Sequence, residues 1–222
     1  MRRLLILTLI GSAAGMSVAE VSVAGDRIRA APNHADQLAA QQALPRVGEL
    51  SGKGWTAGKL KSNMVNGPTS AATCGRERSS STFVQTADAS RDYDSSRSSV
   101  SADVVVYKTA TMVALDWKHT LGMRDPLSCM RTLIAPATSK TMKLVSLRQE
   151  SLPPGSRQTR VYRAVLSVAT AGRTIYAVLY YGIATHRRGE LIVGESTFGD
   201  KNANLLADSL RLLKLLSSRA PA

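Results

Sequence analysis

From Ser101 onward the alternation of apolar and polar positions assigns one element after another. ADVVVYK (102–108) concentrates β-branched and aromatic residues and predicts a strand. Thr109 then stands where a helix N-cap is needed. Val113, Trp117 and Leu121 recur at intervals of four and share one face of the helix that follows. Gly122 ends it. Asp125 caps a second helix with Pro126 in its first turn, where the missing N–H costs nothing, and Cys129, Met130, Leu133 and Ile134 follow at helical spacing. Four runs with strand character come next: 142–150, 159–170, 173–185 and 189–197. Ala171-Gly172 and Arg188-Gly189 are read as hairpin turns, the glycines supplying positive φ. The third run is apolar on both faces: Ile175, Ala177, Leu179 and Tyr181 on one, Tyr176, Val178 and Tyr180 on the other. Such a strand is central, or covered on two sides. NANLLADSLRLLKLLSS (202–218) closes the chain as a leucine-striped helix with Leu206, Leu210 and Leu213 inward and Asp200 or Asn202 as cap.

Short connections make these strands antiparallel, because a parallel return needs a crossover of about a dozen residues or more. Helices precede and follow the strand run instead of alternating with it, which marks an α+β architecture. The fold expected is a twisted antiparallel sheet with helices packed mainly on one face. Before Ser101 the patterning is weaker. Residues 25–46 read as a flexible N-terminal segment, a tail or a short helix, and GELSGKGW as a turn seating Trp55 on the core. Residues 76–101, rich in Ser, Arg and Asp, read as one exposed strand around Thr82–Gln85 and then a mobile loop.

The first residues set the compartment. Arg2 and Arg3 precede Leu4–Ile10, apolar except for Thr8, and small residues follow, the order of a secretory signal peptide. Ala19 and Ala24 each end a small-x-small cleavage pattern, giving a leader over 1–24. The apolar run falls short of the ~20 residues a membrane helix needs, so no stable span is expected after cleavage. The organisation expected is a leader (1–24), a lead-in segment (25–46), a single α+β domain (47–217) and a tail (218–222), secreted or held outside the cytoplasm in the cell envelope. In an oxidising compartment two cysteines suggest one crosslink, Cys74 to Cys129. Closing a loop of roughly 55 residues stabilises by about 4 kcal/mol in the chain-entropy model.

The chain carries +13, with its lysines and arginines scattered. That balance favours anionic surfaces such as wall polymers and lipid head groups, or serves solubility alone. No basic, aromatic-interleaved platform for nucleic acid is present. The glycines at 48, 52 and 54 lack phosphate-loop spacing, and Asp92 and Asp94 lack the glycine and distal glutamate of a calcium loop. The sequence offers no G-x-S-x-G, H-E-x-x-H or S-x-x-K motif. Its histidines, His34, His119 and His186, fall in the lead-in, on a helix face and in a turn. No catalytic, metal or cofactor residue is therefore assigned. A paired-carboxylate site would need Glu190 or Glu195 to approach another acid.

GELSGKGW, an early cysteine, VVVYKTATMVALDW and SCM, with TRVYRAVLSVAT and an RRG turn, resemble a group of uncharacterised secreted actinobacterial proteins. More distantly they are similar to the extracellular sensor domains of mycobacterial serine/threonine kinases and to small envelope lipoproteins. The resemblance spans roughly 47–216 and implies a non-enzymatic extracytoplasmic domain with a ligand cleft beside the sheet. The chain departs from the kinase sensors in offering one disulfide instead of two. It differs from the lipoproteins in lacking their anchor cysteine.

The function expected is a non-catalytic binding or sensor-like domain for a small or lipid-like ligand or a wall component. Trp55, Trp117, Tyr176, Tyr180 and Tyr181 are the candidate cleft lining. A lining pocket of at least roughly 300 Å³ would suit it. The alternatives are a basic envelope protein binding polyanions and a secreted hydrolase of unrecognised type.

Overall fold

The computed structural model describes residues 27–64, 66–68, 82–121, 125–134, 141–154, 156, 158–170 and 173–221. In chain order these form β1 (Arg27–Ala30), α1 (His34–Ala43), a 3₁₀ turn (Val47–Glu49), β2 (Thr56–Ala57), β3 (Gly67–Pro68), β4 (Thr82–Asp94) and β5 (Ser98–Tyr107). Then come α2 (Ala110–Thr120), α3 (Pro126–Ile134), β6 (Met142–Gln149), β7 (Thr159–Thr170), β8 (Arg173–His186), β9 (Gly189–Phe198) and α4 (Leu206–Arg219). Nine strands make one open, twisted sheet in the order β3-β1-β4-β5-β9-β8-β7-β6, with β2 also paired to β4. Every pairing is antiparallel except β1 with β4, which is parallel. The chain reaches that parallel partner through a long excursion containing α1, as parallel returns require.

The α+β class and the antiparallel strand run follow the sequence pattern. The main helical packing is on one face, as expected, from α1 and α4, and α2 and α3 lie more lightly against the other. Val100, Ala102, Val104 and Val106 of β5, with Val178 and Tyr180 of β8 and Val193 of β9, face α1 and α4. Tyr162 of β7 and Ile183 of β8 point the other way, into a second cluster with Trp117, Leu121, Leu127 and Met130 of the α2–α3 region. The physical cause is the doubly apolar β8, which sits between β7 and β9 and leaves two faces to be covered.

Two expectations change. Residues 27–46 are part of the body: β1 lies beside β4, and α1 buries Ala40, Ala43 and the following Leu44. Asn33 caps α1 by accepting from the Asp36 amide at 3.0 Å. The buried Asp36 (8% exposed) accepts from Thr86 Oγ1 at 2.6 Å and pairs with Arg188 at 2.7 Å, tying α1 to the β8–β9 hairpin. The polar run after Gln85 is not a loop either. β4 continues to Asp94, its inward positions being Ala87, Ala89 and Tyr93, each 0% exposed. The chain end is likewise built in: Arg219 pairs with Glu49 at 2.5 Å and Ala220 is buried.

Both helix caps behave as their residues suggest, Thr109 accepting from Met112 N at 3.3 Å and Asp125 from Ser128 N at 3.0 Å. α4 starts later than its leucines imply, with Asn204 accepting from Leu206 N at 3.1 Å. Its buried face is Ser209, Leu212, Leu213 and Leu216. In the β8–β9 hairpin His186 pairs with Gly189, so Arg187 and Arg188 form the loop, and Arg187 adopts φ 52. The positive φ thus falls two residues before the glycine expected to supply it. Gly189 is needed for closeness, because a Cβ there would meet the His186 carbonyl at 3.3 Å. The other predicted turn, Ala171-Gly172, lies outside the described residues.

Gly182 of β8 lies close beneath α4. A Cβ built there stands 2.8 Å from Leu213 Cδ1 and 3.7 Å from Val161 Cγ2, both buried. Gly182→Val is expected to destabilise the fold by about 2 kcal/mol through overpacking. Chemical denaturation measures this, and an unchanged midpoint would show that α4 shifts freely.

Candidate functional site

A cavity of about 240 Å³ lies between the second face of the sheet and the α2–α3 pair. Ile28, Val105, Ile183 and Ile192 rise from the strands, and Leu121, Pro126, Cys129 and Met130 close the helical side. One end is acidic: Asp88, Asp116 and Glu190 reach it, with Tyr107, Tyr181, Gln85 and Thr120. Sheet register explains the convergence. Val105 of β5 pairs with Asp88 of β4 on one side and Glu190 of β9 on the other, so both acids share its face. Asp116 is the inward polar residue of α2, one turn after the buried Val113.

The Tyr107 hydroxyl donates to Asp116 Oδ2 at 2.8 Å and lies 3.3 Å from Glu190 Oε2. Thr120 Oγ1 donates to Asp116 Oδ1 at 3.1 Å. Burial pushes the Glu190 carboxyl well above the usual range, and the Asp116 carboxylate beside it pushes the same way. The Tyr107 hydroxyl thus stands between the two carboxyls, within hydrogen-bond distance of each. Burial raises Asp88 too, against the opposing hydrogen bond from the Asn63 amide at 2.8 Å. Tyr107 is raised by burial and by both neighbouring acids. Burial, with Glu190 close by, likewise raises Tyr181. Asp103, beside this group on β5, is pushed up to about 7 by burial and then by Asp88 and Asp92.

Of the five aromatic residues expected to line a cleft, the structure places only Tyr181 on the cavity. Trp117 packs in the neighbouring cluster beneath the Arg160 guanidinium, 5.5 Å from its ring. Trp55, Tyr176 and Tyr180 belong to the opposite face. There Trp55 Nε1 donates to Ser51 O at 2.8 Å and the Tyr180 hydroxyl to Asn204 at 3.3 Å. Side chains of β8 alternate, so Tyr180 and Tyr181 had to part. The volume also falls below the size expected for the aromatic-lined cleft.

Cys129, 5% exposed, closes one wall of the cavity. Its expected partner, Cys74, lies outside the described residues. Among the described residues no group of three His, Cys, Asp or Glu side chains forms a metal site. Asp92 is engaged by Lys61 Nζ at 2.6 Å. His119 stacks edge-on against Phe83 with centroids 6.2 Å apart, away from the acid pair.

Glu190 was legible as an acid in a strand next to the doubly apolar one, where a buried carboxyl needs a partner. Asp116 and Tyr107 left no such mark, since only the docking of α2 on the sheet brings them to it.

No family model matches the chain, and no curated protein matches it. Two solved structures are similar to it. The extracellular domain of PknH from Mycobacterium tuberculosis superposes with a TM-score of 0.50 at 11% identity, over 83% of this chain and 95% of that one. A putative uncharacterized protein from Mycobacterium smegmatis gives a TM-score of 0.41 at 11% identity, with the same coverage. The chain thus shares its fold with an extracellular domain of PknH, in agreement with the distant similarity to kinase sensor domains. Among the described residues no helix is long and apolar enough to cross a membrane.

Proposed function

We propose that the chain is an exported, non-catalytic binding or sensing domain whose ligand occupies the cavity under α2 and α3. The cavity itself carries this reading: apolar walls with a few convergent polar groups at one end are what small-ligand sites present. Fold similarity to an extracellular domain agrees with it, as does the leader-like 1–24. The crosslink of Cys129 to Cys74 belongs to the same proposal, since it would anchor α3, one wall of the site, to the segment before β4. Native mass spectrometry of protein taken from the secreted fraction tests these points together. The expected species lacks the leader, is two protons lighter than the dithiol, and releases a small molecule on denaturation. An intact leader or two free thiols overturns the export and crosslink readings. Ligand binding that persists in the cavity-filling variant Ile192→Phe overturns the site.

One observation favours a second reading, a hydrolase: two carboxyls do converge in a cleft. The Tyr107 hydroxyl, 2.8 Å from one and 3.3 Å from the other, takes the place between them that water or a sugar carbon takes in glycoside chemistry, where acid pairs stand about 5–9 Å apart. Turnover of an ester, peptide or glycoside that Glu190→Gln abolishes would establish the hydrolase instead.

A further inference from the structure

We infer that the cavity selects a small organic monocation, an amine with an apolar body; this deepens the binding reading above and rests on it. The lining contains three acids, Asp88, Asp116 and Glu190, and among the described residues no lysine, arginine or histidine. That is the reverse of a chain carrying +13. Three carboxyls thus meet around one cavity with no cation in its wall. A buried charge is stabilised by a partner of opposite sign, and a ligand ammonium supplies one. An anionic ligand would meet that charge across a partly dry site.

Tyr107 and Tyr181 line the cavity beside the acids, and a phenol oxygen can accept from an ammonium. The remaining wall, Ile28, Val105, Met130, Ile183 and Ile192, offers only dispersion and burial, which suits a hydrocarbon body over a hydrated ion. A volume of 240 Å³ sets the size. A 150 Å³ apolar cavity takes up benzene, so this one holds on the order of ten non-hydrogen atoms.

Three probes of similar size test the charge: phenethylammonium, 2-phenylethanol and phenylacetate. Each is titrated into the folded chain at pH 7 by calorimetry and by the methyl resonance of Met130. The expected order is ammonium, alcohol, carboxylate, with the ammonium at least about tenfold tighter than the carboxylate. In Glu190→Gln and Asp116→Asn the preference collapses while the alcohol still binds, which also shows the variants are folded. Ile192→Phe abolishes binding of all three. Equal affinities, or a preference for phenylacetate, overturn the cation assignment and leave the cavity reading standing. Failure of all three probes to bind overturns both. Should both acid variants keep the wild-type preference, or Ile192→Phe still bind the ammonium, the assignment to this site is overturned.

Discussion

Truncating Leu216 to alanine is expected to lower the stability of the fold by about 4 kcal/mol. Leu216 is 0% exposed on the inward face of α4, in one cluster with Leu212 and Leu213, and α4 lies across β8, β9 and α1. Removing its isobutyl group forfeits the transfer free energy of that apolar surface and leaves a void between helix and sheet. The void has little freedom to close. Leu213 already touches the position above Gly182, and Arg219 and Arg211 hold the helix to Glu49 and to the backbone there, at 2.5 Å and 2.7 Å. A helix pinned at its C-terminal half cannot settle into the gap, so the loss belongs in the upper part of the range for such substitutions. Urea unfolding followed by circular dichroism would show a lower midpoint with an unchanged slope. A loss below about 1 kcal/mol would mean that α4 is a loosely docked appendage.

The sequence disclosed most clearly what packs by repetition. β7, β8 and β9 were legible as β-branched and apolar runs separated by short turns, β8 apolar on both faces, and both second-face helices because Thr109 and Asp125 announce their starts. What stayed hidden depends on small or polar residues made inward by partners far along the chain. Past Gln85 the apolar residues that β4 buries are only two alanines and a tyrosine, and Thr86 and Asp88 are buried with them, a pattern that resembles a loop until β5 lies beside it. α1 is alanine-rich and becomes a core element only through Asp36, whose partners Thr86 and Arg188 are distant in sequence.

The same logic governs the site. Tyr181 was foreseen as one of five aromatic candidates, and its face is fixed by strand parity. Nothing local in Trp55, Tyr176 or Tyr180 separates core from cavity, because both are apolar. Glu190 and Glu195 were legible only as the acids that a paired site would need, and burial on opposite sides of the sheet raises both carboxyls. Their partners, Asp116 and Ser209, come from helices whose docking no local pattern fixes.

Those buried acids give the protein an unusual response to pH: it is expected to be more stable at pH 5 than at pH 8. Glu195, 7% exposed beneath α4, accepts a hydrogen bond from the Ser209 hydroxyl, and burial pushes its carboxyl from 4.5 to about 7. Asp103 rises from 3.8 to about 7, and Glu190 and Asp88 shift in the same direction. Between pH 4.5 and pH 7 the folded chain holds protons that the unfolded chain has released. Stability therefore falls as pH rises through that window, and the contribution is lost above the folded values. Asp36 and Glu49 are shifted the other way by Arg188 and Arg219, Glu49 to about 2. Their stabilisation is present above the ordinary carboxylate range and fails only in stronger acid. Maximum stability should then lie near pH 4.5 to 5. Each of the two acids raised to about 7 is worth up to about 3 kcal/mol, and residual solvent access reduces the pair to a fall of about 3 kcal/mol between pH 5 and pH 8. The growing positive charge at low pH opposes this by self-repulsion, so one variant isolates the carboxyl. Glu195→Gln keeps a partner for Ser209 but cannot ionise. It should flatten the profile and exceed wild type at pH 8 by about 1–2 kcal/mol. Denaturation midpoints that rise from pH 5 to pH 8, or a Glu195→Gln profile parallel to wild type, would mean that Glu195 is ionised in the folded protein and that the seat beneath α4 is wet.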